Sequence, residues 1–123
     1  MMDFSGKVAL VTGGSQGIGR GLVSALLNIG MKVCICDINE EAAKEFIETL
    51  PSSHRENVIF QQCDVTSLDH FKAAFDRVIS SFGRIDLVVN NAGLVNEIDW
   101  RKVIDVNIVS TQQLLFPSKL LMK

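Results

Sequence analysis

Apolar and polar positions along this chain switch between two periods, and the switching is regular. Residues 7–12 form a short apolar run closed by Gly13, which predicts a strand. Ile18, Leu22, Ala25, Leu26 and Ile29 then recur at helical spacing, and Gly30 stands where a C-terminal cap belongs. Residues 31–36 make a second apolar run that leads into Asp37. Asn39 is placed to cap a helix with Ala43, Phe46, Ile47 and Leu50 on one face; Glu40 and Lys44 form a favourable i,i+4 pair, and Pro51 stops it. Residues 52–57 read as a polar loop and residues 58–63 as a third strand ending at Asp64. Thr66 or Ser67 caps a further helix with the stripe Phe71, Ala74, Phe75, Val78, Ile79 and Phe82, ended by Gly83. Residues 85–89 predict a fourth strand running into Asn90-Asn91-Ala92-Gly93. A fourth helix is expected from Ile98 or Asp99, carrying Val103, Ile104 and Ile108.

Strands and helices alternate with no internal repeat and no low-complexity linker, so the fold class is α/β. Right-handed crossovers make the four strands parallel with helices on both faces, and a doubly wound Rossmann plan orders them 3-2-1-4. Strands covered on both faces are apolar throughout, which accounts for 47% hydrophobic residues and a mean hydropathy of +0.25. The 123 residues allow a single domain at most. A formal charge of −2 with both signs interspersed points to neither nucleic acid nor an anionic membrane as partner. No apolar stretch reaches the roughly 18 residues of a membrane span. Residues 1–7 lack the basic start and apolar core of a secretion signal, so the expected location is cytoplasmic.

The three cysteines agree with that location. Cys34 and Cys36 share one face of a strand, and Cys63 ends the next. A metal site would need a fourth ligand and an irregular loop to hold it, so buried free thiols are expected and no metal. His54 and His70 have no ligand-spaced partner and are expected to face solvent, while Trp100 is expected to pack.

Chemistry concentrates in Gly13-Gly14-Ser15-Gln16-Gly17-Ile18-Gly19, between a predicted strand and a predicted helix. Gly13 permits the tight exit from the strand, Gly17 lets backbone approach a phosphate, and Gly19 permits close helix–sheet packing. Ser15, Gln16 and Ile18 would offer N–H groups or polarity to a pyrophosphate at the helix N-terminus. Glycines mark many purely structural turns, but the strand before and the helix after favour the phosphate cradle. Asp37, ending the second strand, is placed to accept the adenosine ribose hydroxyls and to repel a 2′-phosphate, which favours NAD over NADP. Its alternative role is a turn aspartate that helps to start the next helix.

Thr12-Gly13-x-x-x-Gly17-x-Gly19, Asp64-Val65 and Asn90-Asn91-Ala92-Gly93 together resemble the short-chain dehydrogenase/reductase family, from residue 6 to about residue 110. The resemblance implies that Asp64 hydrogen-bonds the adenine amino group beside the Val65 backbone. It implies that Asn90 and Ala92 line the cofactor wall, while Asn91 and Gly93 shape the turn there. A carboxylate at Asp64 would also favour the following helix dipole by roughly 0.3–1 kcal/mol, and both roles can coexist. Asn107 stands where the family carries an asparagine in its fourth long helix, an auxiliary catalytic group that holds a water in a proton relay. The family reaction implied is oxidation of a small-molecule secondary alcohol to a ketone with hydride transfer to NAD, in an enzyme that forms homodimers. Residues 90–97 with Trp100, Lys102, Asn107, Val109 and Ser110 resemble one NAD-dependent branch of that family.

The chain departs from the family in one respect. Family members use a serine, and a tyrosine and lysine separated by three residues, with the tyrosinate as general base. This chain contains no tyrosine, and Ser110 and Ser118 precede any fifth strand. Beyond Ser110 the resemblance fades, so residues 111–123 are expected to be a divergent tail, in which Pro117 would end a helix or cost it about 3 kcal/mol. Residues 1–123 are therefore expected to be a truncated NAD-binding Rossmann domain, its apolar strand at 85–89 an exposed edge prone to aggregation. The alternative function is a catalytically inactive isoform that serves as a dinucleotide-binding or subunit-pairing module.

Overall fold

The computed structural model describes residues 3–64 and 67–91, together with the backbone of residues 105–108. The elements are β1 (Val8–Thr12), α1 (Gly17–Asn28), β2 (Lys32–Asp37), α2 (Glu40–Glu48), α3 (Ser52–Arg55), β3 (Val58–Gln62), α4 (Leu68–Phe82), β4 (Leu87–Asn90) and β5 (Asp105–Ile108). They form one sheet in the order β3-β2-β1-β4-β5. The first four strands are parallel, in the predicted order. Val8 lies opposite Lys32, Ala9 opposite Leu87, and Val33 opposite Val58.

β5 corrects the predicted fourth helix. Residues 98–104 lie outside the described residues, but Asp105–Ile108 pair antiparallel with β4, Asp105 opposite Asn90 and Ile108 opposite Leu87. Val103, Ile104 and Ile108 match a helical period, yet Ile104, Val106 and Ile108 match a strand period equally well and are β-branched. β4 supplies the deciding partner, because its outer edge presents unpaired backbone groups along an apolar strand. The parallel four-strand sheet thus carries an antiparallel edge.

Alternation along the central strands divides the core in two. Val8, Leu10, Cys34, Cys36 and Val88 face Phe71, Ala74, Phe75 and Val78 of α4. Ala9, Val11, Val33, Ile35 and Val89 face Val23, Leu26 and Leu27 of α1 and Ala43 and Phe46 of α2. The sheet is therefore covered on both faces.

Local chemistry sets most element ends. Asn39 caps α2, its Oδ1 accepting from the Ala42 N–H at 3.0 Å, and the exposed Glu40–Lys44 pair closes at 3.0 Å. Ser67 caps α4 by accepting from the His70 N–H at 3.2 Å, and Gly83 ends it at φ 81. After α1, the Gly30 N–H donates to Leu27 and the Met31 N–H to Leu26, each at 3.1 Å, a Schellman ending. Two expectations change. Residues 52–55 make a helical turn rather than a loop, with the Pro51 carbonyl accepting from His54 and Arg55. α1 buries Gly19, Val23, Leu26 and Leu27, leaving Ile18 43% and Ile29 50% exposed. Its apolar residues cover enough of the circumference to offer two overlapping stripes, and packing at Gly19 selects between them.

Candidate cofactor site

The C-terminal ends of the parallel strands form one rim, and the residues singled out in the sequence gather along it. β1 leaves the sheet at Thr12, and Gly13 takes a positive φ of 65° while its N–H donates to the Cys36 carbonyl of β2 at 2.7 Å. The chain then turns into α1. Gln16 precedes the helix without a side-chain cap, and the first turn holds no acidic residue. The first intrahelical bond runs from the Arg20 N–H to the Gln16 carbonyl at 3.2 Å. The N–H groups of Gly17, Ile18 and Gly19 precede it and have no acceptor within the helix, which is the arrangement that receives an anion.

Gly19 is needed for close approach. A Cβ built there runs into the Gly13 carbonyl oxygen and the Asn91 amide nitrogen, and lies 2.8 Å from the Gly13 carbonyl carbon. Asn91 holds this junction: its Nδ2 donates to the Gly13 carbonyl at 3.2 Å, and its backbone N–H donates to Thr12 Oγ1 at 2.8 Å. The Thr12 hydroxyl in turn donates to the Val89 carbonyl at 3.3 Å. Asn90, paired with Thr12, ends β4 at the same rim. Sequence reasoning assigned no such role to Thr12. Its signals were its place at the head of the glycine motif and a hydroxyl at the end of an apolar strand.

Asp37 sits at the end of β2, partly exposed, with both carboxylate oxygens engaged. Oδ2 accepts from the Ser15 N–H at 3.2 Å and from the Ser15 hydroxyl, while Oδ1 accepts from the Asn39 N–H at 3.0 Å. Asp37 thus faces the glycine turn through Ser15 and braces the start of α2 through Asn39. Ser15 is fully buried and directs both donors at Asp37. Gln16 and Ile18 are exposed, as is Ile38 beside Asp37.

Asp64 follows β3, one strand further along the rim. Its N–H donates to His70 Nδ1 at 2.9 Å and its carbonyl accepts from the Ser67 N–H at 2.9 Å. His70 is exposed, as expected, but it makes a contact that spacing did not reveal. Cys63 ties this strand end to the last one, its N–H donating to the Asp37 carbonyl at 3.0 Å. Val65, Ala92 and Gly93 lie outside the described residues. Asn107 is described by its backbone alone, opposite Val88 in β5. Its expected helical setting is thus corrected to a strand, for the reason given above.

The three cysteines are free and buried, with Cys34 Sγ 3.9 Å from Cys36 Sγ. Hydrogen bonds with Cys34 and Cys63, reinforced by burial, push the Cys36 thiol well above its usual value. Among the described residues no group of three metal-ligating side chains is arranged to hold a metal. No helix there is long and apolar enough to cross a membrane.

A doubly wound sheet with an uncapped glycine turn at its central strand, and a carboxylate ending the next, defines a Rossmann-type nucleotide-binding unit. The sequence pattern of the family described as short chain dehydrogenase matches residues 7–116, and the chain belongs to that family. It is 44% identical over 110 residues to human 15-hydroxyprostaglandin dehydrogenase [NAD(+)], covering 89% of this chain and 41% of that protein. It is 45% identical over 89 residues to (+)-borneol dehydrogenase 2 of Salvia officinalis, covering 72% of this chain and 31% of that one. A short chain dehydrogenase/reductase of Burkholderia phymatum, solved in complex with NAD, superposes with a TM-score of 0.69 at 33% identity, covering 76% of this chain and 33% of the other. The chain thus spans about two-fifths of the length of the prostaglandin dehydrogenases it matches.

Proposed function

We propose that this chain is the NAD-binding part of a short-chain alcohol dehydrogenase, and that the complete protein oxidises a secondary alcohol to a ketone. The observation that carries the reading is Asp37, held by Ser15 beside the uncapped N-terminus of α1. Gly17, Ile18 and Gly19 would take the pyrophosphate on backbone N–H groups, with Gly13 making the tight exit from β1 and Ser15 and Gln16 lining the turn. Asp37 would accept the ribose hydroxyls and oppose a 2′-phosphate, and Asp64 would accept the adenine amino group. Asn90, with Val65, Ala92 and Gly93, would complete the cofactor wall, and Asn107 would serve the proton relay. Bound NAD supplies the hydride acceptor; this chain's residues supply its seat.

Similarity to the prostaglandin dehydrogenases supports the 15-hydroxyl of a prostaglandin as substrate, and a cytoplasmic homodimer is part of the same proposal. A second reading is favoured by one fact, that the 123 residues contain no tyrosine. They therefore hold no phenol base of the family kind, and the chain by itself would act as a dinucleotide-binding or subunit-pairing module without turnover.

Titrating the chain with NADH, followed by cofactor fluorescence, should give saturable binding, with NADPH much weaker. Asp37→Ala should weaken NADH about 10- to 100-fold, the worth of charge-assisted hydrogen bonds to two hydroxyls, and should narrow the gap to NADPH. Equal affinity for NADPH, or no binding of either, would refute the reading. Prostaglandin oxidation assayed on the same sample is expected to be absent, and turnover by the 123 residues themselves would overturn the module reading.

A further inference from the structure

We infer that His70 is a positioning residue for the adenosine half of the cofactor site, acting through its hydrogen bond to the backbone of Asp64. The inference rests on the dinucleotide-platform reading above and adds to it a residue on no cofactor-binding surface.

The first turn of α4 folds back over the end of β3. The Asp64 N–H donates to His70 Nδ1 at 2.9 Å, and the Ser67 N–H donates to the Asp64 carbonyl at 2.9 Å. Both backbone polar groups of Asp64 are thus tied to α4. His70 is not needed to start that helix, because Ser67 already caps it by accepting the His70 N–H. Three residues after the cap, helices often carry a Glu or Gln that reaches back to the cap's own N–H. His70 occupies that position, but its ring reaches further, to Asp64. The imidazole also does what an amide side chain would do only conditionally. Nδ1 accepts a hydrogen bond only while the ring is neutral and protonated on Nε2. A second proton turns Nδ1 into a donor aimed at the Asp64 N–H, and the tie is lost.

His70 is exposed, so its ring is held by this bond rather than by packing. Its own helix carries Asp69, Lys72, Asp76 and Arg77. α4 packs against β3, which has no ionisable side chain, and against β2, which has Lys32, Cys34, Cys36 and Asp37. Lys32 lies at the far end of its strand, over the Phe82 ring. At the corner itself stand Cys63 and Asp64, and Cys63 is bonded through its N–H to the Asp37 carbonyl. Releasing Asp64 therefore loosens the segment that presents its carboxylate to the base, next to the strand end that presents Asp37 to the ribose.

The test compares the wild-type chain, His70→Gln and His70→Ala for binding of NADH and of the reduced hypoxanthine dinucleotide, which lacks the adenine amino group. His70→Ala should lose about fivefold in NADH affinity, one hydrogen bond's worth. His70→Gln, whose amide oxygen accepts in place of Nδ1, should match wild type. Neither variant should alter binding of the hypoxanthine analogue. A loss shared equally by the analogue would make His70 merely structural and overturn the inference, as would an equal loss in His70→Gln. Should His70→Ala fail to fold, imidazole ¹⁵N shifts of the wild type give an independent reading. They must report an accepting Nδ1. Failure of the wild type to bind NADH at any pH would remove the platform and the inference together; binding indifferent to His70 would remove only the inference.

Discussion

Two glycines on the first two turns of α1 should respond to the same substitution with opposite signs. Gly19→Ala puts a methyl group against the Gly13 carbonyl and the Asn91 amide, and the Gly13 atoms are backbone that cannot rotate aside. The start of α1 must lift from the β1 exit, and the 3.2 Å bond from Asn91 to the Gly13 carbonyl must stretch or break. Overpacking of this kind costs about 1–3 kcal/mol, and a lost buried hydrogen bond about 1 kcal/mol more. Alanine returns up to about 1 kcal/mol of helix propensity. The net expectation is a loss of about 2 kcal/mol. Gly21 is exposed, and a Cβ there meets nothing within 4 Å, so Gly21→Ala keeps only the propensity gain. Urea unfolding should separate the two variants by about 3 kcal/mol, and thermal melts by about 10 °C for a domain of this size. NADH titration adds a second axis: Gly19→Ala should lose affinity because the phosphate-facing N–H groups move, and Gly21→Ala should not. Equal stability of the two variants would refute the close-approach argument, whatever the binding data say.

Thr12→Val keeps the volume at a fully buried position but removes the acceptor for the Asn91 N–H, and should cost about 1–3 kcal/mol in urea unfolding. Asp86→Ala should cost a similar amount, about 1–3 kcal/mol, because the buried Val8 N–H loses the carboxylate that accepts it at 2.9 Å. Burial pushes the Asp86 carboxyl up, but hydrogen bonds from Arg84 and Val8 and the charges of Arg84 and Lys7 outweigh it and hold it below its usual value. A depressed carboxyl stabilises the fold above its unfolded value and loses that contribution as pH falls through the folded one. The urea midpoints of wild type and Asp86→Ala should therefore converge in acid, and a constant gap would contradict this. Cys34, Cys36 and Cys63 are each at most 1% exposed, so a thiol reagent should label none of them quickly in the native state and all of them in denaturant.

What could be read in the sequence was mostly what neighbours in the chain decide. Asn39 and Ser67 cap helices because a short polar side chain reaches an N–H three residues ahead, and Gly83 ends α4 because the backbone there turns left-handed. Strand order was legible too, since parallel strands with helical crossovers leave few topologies. Reading failed where the deciding partner was remote. The buried face of α1 depends on how closely Gly19 approaches Gly13 and Asn91, and β5 exists because β4 offers it an edge. Thr12 and Asn91, 79 positions apart, meet only once β1 and β4 pair. Asp37 and Asp64 were visible as carboxylates at strand ends. Their supports, Ser15 and His70, were not, because a hydroxyl on a turn and an imidazole on a helix suit many other roles.

These remote contacts have a common consequence for the site. Asn91 is bonded to Thr12 and Gly13, Gly13 to Cys36, Ser15 to Asp37, and Cys63 to Asp37, while Asp64 is bonded to Ser67 and His70. Along the rim of four parallel strands, the glycine turn, Asp37 and Asp64 are therefore each hydrogen-bonded to a neighbouring segment. A rigid ligand surface needs such cross-bracing, because strand ends and turns lose the ladder hydrogen bonds that hold strand interiors in place. The bracing is made chiefly by backbone groups, which point the same way whatever side chains surround them. Its side-chain members are few: Thr12, Ser15, Asp37, Asn91 and His70. Three of these five use neutral hydroxyl or amide groups, and the glycine turn is held by several such bonds at once. At the adenine end the Asp64 N–H is held by the His70 imidazole, so His70→Ala should loosen the rim at its Asp64 end and leave the glycine turn intact.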